Sequence, residues 1–88
     1  MPSYVVESYA ARRDVEGQRE RARHAAELET GIRYLRTTFL PGDETVLHLF
    51  EAPSVEALNR AGELAHLEFD RIVEAIESRT PAEPKEEK

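Results

Sequence analysis

The sequence predicts a small α+β domain, and three observations predict it. The stretch Phe39 to Leu58 (FLPGDETVLHLFEAPSVEAL) runs from an extended apolar segment through a Pro-Gly-Asp-Glu turn into a second one, then into a capped helix. A short β-branched and aromatic segment, YVVESY, lies at Tyr4 to Tyr9. Between them, from Asp14 to about Glu29, the residues are strong helix formers. With 88 residues the chain has length for one domain, and a chain that short buries only about 60–65 % of its unfolded surface.

Taken in order, Tyr4–Tyr9 reads as the first strand and Asp14–Glu29 as the first helix, with Gly31 as its stop signal. The helix carries a weak apolar stripe of Val15, Ala22, Ala25, Ala26 and Leu28, whose small alanines suit close approach to a sheet. Ile32–Leu40 and Thr45–Glu51 are the hairpin strands, with Gly42 in the turn. On the second of them Leu47 and Leu49 share one side while Val46, His48 and Phe50 share the other, so both sides are largely apolar. A strand that needs cover on both sides in a domain with only two helices predicts a partner subunit. Ser54 is placed as the N-cap of the second helix, with Glu56 in its first turn and Val55, Leu58, Gly62 and Ala65 as its buried stripe. Beyond Ala65 the residues allow two readings. Positions 55, 58, 62, 65, 69, 72 and 76 continue as a heptad-like series and favour one long helix, whereas Arg71 to Ile76 also suits a final strand.

Composition removes several function classes. The chain has no cysteine, which excludes disulfides, thiolate catalysis and cysteine-based metal centres. Its net charge of −6 lacks the basic footprint of a nucleic-acid or anionic-lipid binder, and Arg12, Arg13, Arg19, Arg21 and Arg23 alternate with Asp14, Glu16 and Glu20 as a solvated face would. The opening residues lack a signal-peptide pattern, and no apolar stretch approaches the ~20 residues of a membrane span, so a soluble, cytoplasmic protein is expected. Residues 1–79 form the domain in this reading, and the proline-containing, charged 80–88 a disordered tail.

At Glu51-Ala-Pro-Ser-Val-Glu-Ala-Leu and at Ala65-His-Leu-Glu-Phe-Asp-Arg-Ile-Val-Glu74 the chain resembles the small bacterial ferredoxin-like domains grouped as a domain of unknown function, some of which are nickel-binding proteins. The resemblance covers roughly residues 3 to 78. It implies the order βαββαβ, a four-stranded antiparallel sheet with two helices on one face, and hence a strand at Asp70 to Ile76. It also implies pairing through the open sheet face as a dimeric α+β barrel. The chain departs from the family in carrying His66 and Glu68 where members have Gly and Pro. It also has Ser8 and Arg36 where metal-binding members have histidines, which counts against nickel because a guanidinium repels cations.

The chemical candidates are few. His24, His48 and His66 show no metal-ligand spacing. His24 reads as a surface residue, and His66 as the end of the second helix. His48 lies mid-strand. If Tyr4, Val6, Leu35, Leu47 and Leu49 meet the helices, alternation places Glu7, Tyr34, Arg36, His48 and Phe50 on the open face, with Tyr9 beside them. These six would line a half-polar cavity inside a homodimer, able to take a small molecule or a divalent metal such as nickel, with His48 and Glu7 as ligands. Glu7 beside an imidazole could instead be a proton-transfer pair in a cofactor-free isomerase or monooxygenase of the same barrel type. The plainest alternative is that Glu7, Arg36 and His48 satisfy one another in an interface. No phosphate loop or nucleophile triad is present.

Overall fold

In the computed structural model, the described residues are 1–9 and 14–76; the proposed tail at 80–88 lies outside them. The elements follow the order β1 (Ser3–Tyr9), α1 (Val15–Leu28), β2 (Arg33–Leu40), β3 (Thr45–Glu51), α2 (Val55–Leu64) and β4 (Arg71–Ala75). The strands form one antiparallel sheet in the order β2-β3-β1-β4. This is the βαββαβ arrangement of a ferredoxin-like α+β fold, and residues 71–75 are a strand. No helix of the described residues is long and apolar enough to cross a membrane.

The register fixes which side chains share a face. Tyr4 pairs with Phe50, Val6 with His48 and Ser8 with Val46, so these six lie on one side of β1 and β3. Val6 and Phe50 join Ala22, Ala25, Leu58 and Ala61 in one buried cluster, which makes this the helix side. The opposite side carries Val5, paired with both Leu49 and Val73, and Glu7, paired with Leu47 and Arg71. The expectation that Leu47 and Leu49 meet the helices is therefore corrected. Both sides of β3 are apolar, so alternation alone could not orient it, and the larger Phe50 takes the core.

β2 departs from simple alternation. Tyr34 pairs with Phe50, yet Arg36 pairs with Leu49, a register shift that leaves Leu35 as the extra residue. Tyr34 consequently faces the helices and Arg36 the open side, although both numbers are even.

α1 buries Gln18, Ala22 and Ala25, spaced as one helical face, while Leu28 is exposed. The three small or slender side chains let the helix lie close on the sheet. Gly31, with φ +92°, turns the chain from α1 into β2. The hairpin turn closes with Asp43 N–H donating to the Leu40 carbonyl at 3.1 Å and Glu44 N–H to that of Pro41 at 3.3 Å; Glu44, not Gly42, takes the positive φ of 51°.

Ser54 caps α2 as expected, its hydroxyl accepting from Ala57 N–H at 3.1 Å. The buried stripe is Ala57, Leu58, Ala61 and Gly62, while Val55 is exposed. At the other end, His66 N–H donates to the Glu63 carbonyl at 3.1 Å and Leu67 N–H to that of Gly62 at 2.9 Å. This pattern is a Schellman motif, with His66 at φ +59° in the position usually held by glycine. The helix is thus broken without a helix-breaking residue. Phe69 then folds back over Gly62, where an added Cβ would stand 3.0 Å from Phe69 Cε1. The heptad-like positions 69 and 72 therefore reach the same core as α2, but from outside the helix.

Candidate functional site

Two helices cover one sheet face, and among the described elements none covers the other. On that open face Val5, Leu47 and Val73 are half-buried and Leu49 is 9 % exposed, which gives it an apolar centre. Around them stand polar groups. Arg71 Nε donates to Glu7 Oε1 at 2.9 Å and its Nη2 to Oε2 at 3.4 Å, across the β1–β4 pair. Arg33 Nη1 donates to Glu51 Oε1 at 2.9 Å across β2–β3. Hydrogen bonding to Glu7, and then its charge, hold the Arg71 guanidinium above its ordinary pKa. A shallow cavity of about 330 Å³ lies at the end of β1, lined by Glu7, Ser8, Tyr9, Thr45, Asp70 and Arg71.

Of the six expected site residues, the structure keeps Glu7, Tyr9 and Arg36 on the open side. Tyr34, His48 and Phe50 are on the helix side, and His48 and Phe50 are wholly buried. The reason is the inverted orientation of β3 together with the bulge in β2. Tyr34 and Phe50 pack edge to face with centroids 5.7 Å apart, as core aromatics do.

His48 is a core histidine. Its Nδ1 lies 2.8 Å from Thr37 Oγ1, which in turn lies 2.6 Å from the Tyr34 hydroxyl. A consistent proton arrangement has Tyr34 donating to Thr37 and Thr37 donating to Nδ1, which leaves the proton on Nε2. That Nε2 is buried with no hydrogen-bond partner. Burial pushes the imidazole down from 6.5 to about 4, so it is neutral at physiological pH.

Glu7 and His48 therefore lie on opposite faces of the sheet and form neither a proton-transfer pair nor a shared metal site. Among the described residues no three of His, Asp and Glu converge where a metal ion could be held. His24 is exposed, with Nδ1 3.3 Å from Glu27 Oε1, and His66 is exposed at the C-terminus of α2. The residues missed from sequence are Arg71, the partner of Glu7, and Thr37, the partner of His48. Arg71 could have been found by asking which residue lies opposite Glu7 once residues 71–75 are taken as a strand. Thr37 could not, because its placement depends on the bulge.

A solved structure with a similar fold is that of SCO4226 from Streptomyces coelicolor A3(2), with a TM-score of 0.67 and 25 % sequence identity over 88 % of this chain and 99 % of that one. No family model and no curated protein matches the chain. The structural likeness speaks for a shared small α+β fold; neither membership of a family nor nickel binding follows from it.

Proposed function

We propose that the chain acts as a homodimer whose open sheet faces lie against each other and enclose a small amphiphilic organic ligand. The observation that carries this reading is the apolar centre of Val5, Leu47, Leu49 and Val73 on a face that, among the described residues, no helix covers. An apolar patch of this kind, rimmed by polar groups, is what interfaces and ligand surfaces present. The Arg71–Glu7 and Arg33–Glu51 pairs give that centre a polar, charge-balanced rim, which suits a ligand with a polar group on an apolar body. A divalent cation suits the face less well. It offers no imidazole, and the carboxylates of Glu7 and Glu51 are each engaged by an arginine. An enzyme built on Glu7 and His48 is not proposed, because the sheet separates them.

The test uses Leu47→Asp, which puts a charge in the centre of the face without touching the helix-side core. Light scattering is expected to give a dimer for the wild type and a monomer for the variant. Titration with 8-anilinonaphthalene-1-sulfonate, an aromatic anion, is expected to give saturable fluorescence with the wild type and little with the variant. A monomeric wild type, or a variant that dimerises unchanged, removes the interface. A dimer that leaves the probe dark removes the ligand.

A further inference from the structure

β4 is an edge of the sheet. In the order β2-β3-β1-β4 it pairs with β1 and, among the described residues, with no strand on its other side. The backbone N–H and C=O groups of alternate residues along that side form a template for a further strand. The two edges of the sheet are not equivalent. β2 shifts register between Tyr34 and Arg36, and such a bulge spoils an edge for pairing. β4 instead matches β1 residue for residue from Arg71 to Ala75 and contains no proline, glycine or lysine.

Beside this edge lies a groove of about 280 Å³, lined by Val55, Glu56 and Asn59 of α2 together with Phe69 and Ile72. Ile72 pairs with Val6, so the groove is on the helix side of the sheet, away from the open face. Its floor is apolar, because Phe69 and Ile72 pack against the core and the exposed Val55 stands beside them. A strand laid along β4 would send every second side chain toward this floor. An edge strand flanked by a helix and an apolar groove is a setting for strand addition, in which the backbone gives affinity and alternate side chains give specificity.

Charge selects the occupant. Glu56 stands in the groove wall, and Glu74, which pairs with Tyr4, lies on the same side of β4 two residues beyond Ile72. Both carboxylates are exposed, and among the described residues neither forms an ion pair. A second copy of the chain fits this edge badly. Paired antiparallel about Val73, two β4 strands would set each Ile72 opposite a Glu74; paired about Ile72, they would set each Glu74 opposite an Asp70. An extended segment with an apolar residue opposite Ile72 and a basic residue opposite Glu74 meets both demands.

We propose that the β4 edge and the groove beside α2 bind an extended basic segment of a partner protein, added to the sheet as a further strand. An apolar side chain of that segment rests on Val55, Phe69 and Ile72, and basic side chains on either side of it meet Glu56 and Glu74. The site lies at the edge and on the helix side, so it does not rest on the dimer or on the ligand of the open face.

The experiment titrates the full-length, nitrogen-15-labelled protein at neutral pH with the peptide Thr-Lys-Thr-Val-Thr-Lys-Thr, blocked at both ends. This peptide presents Lys, Val and Lys on one side and reads the same from either end, so the direction of the added strand is not presupposed. Saturable amide shifts are expected at Val55, Asn59, Ile72 and Glu74, with slower hydrogen exchange in β4 when the peptide saturates. The same peptide with Glu in place of Lys is expected to leave these amides unmoved. Glu56→Gln with Glu74→Gln is expected to weaken binding roughly three- to tenfold. Val55→Lys, at an exposed position that the core does not need, sets a like charge against the peptide and is expected to weaken binding as well. No saturable response to the basic peptide, equal binding of the acidic one, unchanged affinity in both variants, or binding that leaves exchange in β4 unslowed would each overturn the proposal.

Discussion

His48 shows what a fully enclosed imidazole does to a small domain. Buried against Val6 and Thr37 with Nε2 unpaired, it titrates at about 4 in the folded chain, against an ordinary value of 6.5. The unfolded chain therefore binds the proton more readily, and stability rises with pH between these two values. The contribution is complete above 6.5 and is lost as the pH falls toward 4. At 1.36 kcal/mol per unit, it amounts to about 3 kcal/mol across the window. His48→Leu comes close to the volume, removes the titration and leaves Tyr34 and Thr37 hydrogen-bonded to each other. Urea unfolding at pH 7 and pH 4.5 is expected to show a markedly smaller loss for the variant than for the wild type; equal losses would show that His48 titrates normally. His66 presents a conformational case. An L-residue in the left-handed region costs about 1–2 kcal/mol, and glycine there gives back about 0.5–1 kcal/mol through its freer unfolded state. His66→Gly is thus expected to stabilise by about 0.5–1 kcal/mol, read as a rise of several degrees in the thermal midpoint. A lower midpoint would mean that the imidazole makes a contact worth more than the strain.

At the scale of elements, the two ends of α2 show why part of the fold is readable from sequence and part is not. Ser54 is a local signal: a hydroxyl three residues before the Ala57 N–H it caps, so its role follows from spacing alone. The C-terminus has no such signal. The bonds from His66 to Glu63 and from Leu67 to Gly62 end the helix, but they form because Leu67 is buried, which is a tertiary fact. Periodicity therefore ran on through Phe69 and Ile72. These residues do face the α2 core, one by folding over Gly62 and the other from β4, so a pattern of burial resembled a pattern of helix. The same limit explains the candidate site. On β1 the alternation is one-sided, with Val6 and Ser8 buried and Glu7 outward, and its faces were read correctly. On β3 the residues 46, 48 and 50 compete with 47 and 49 as equally apolar sets, and the wrong set was assigned to the helices. The bulge between Tyr34 and Arg36 then divided two residues that counting had kept together.

For the molecule as a whole, the question is how an 88-residue chain holds a four-stranded sheet of which, among the described residues, only one face is covered. The core is built largely of alanines on the helix side (Ala22, Ala25, Ala57, Ala61 and Ala65), each contributing little apolar area, with Phe50, Leu58, Val6 and Ile32 as the larger members. Such a core is thin, and the proposed dimer would bury the second apolar layer that the sheet presents. If folding and pairing are linked in this way, stability depends on concentration: for two chains that unfold from a dimer, each tenfold rise in protein concentration adds about 1.4 kcal/mol per dimer. The thermal midpoint of the wild type is accordingly expected to climb by several degrees over a hundredfold range of concentration. That of Leu47→Asp should stay constant and lie below it, because the variant melts as a single chain. A wild-type midpoint that does not move with dilution would show that the helix-side core suffices alone. The apolar residues of the open face would then owe their burial to a different partner or to none.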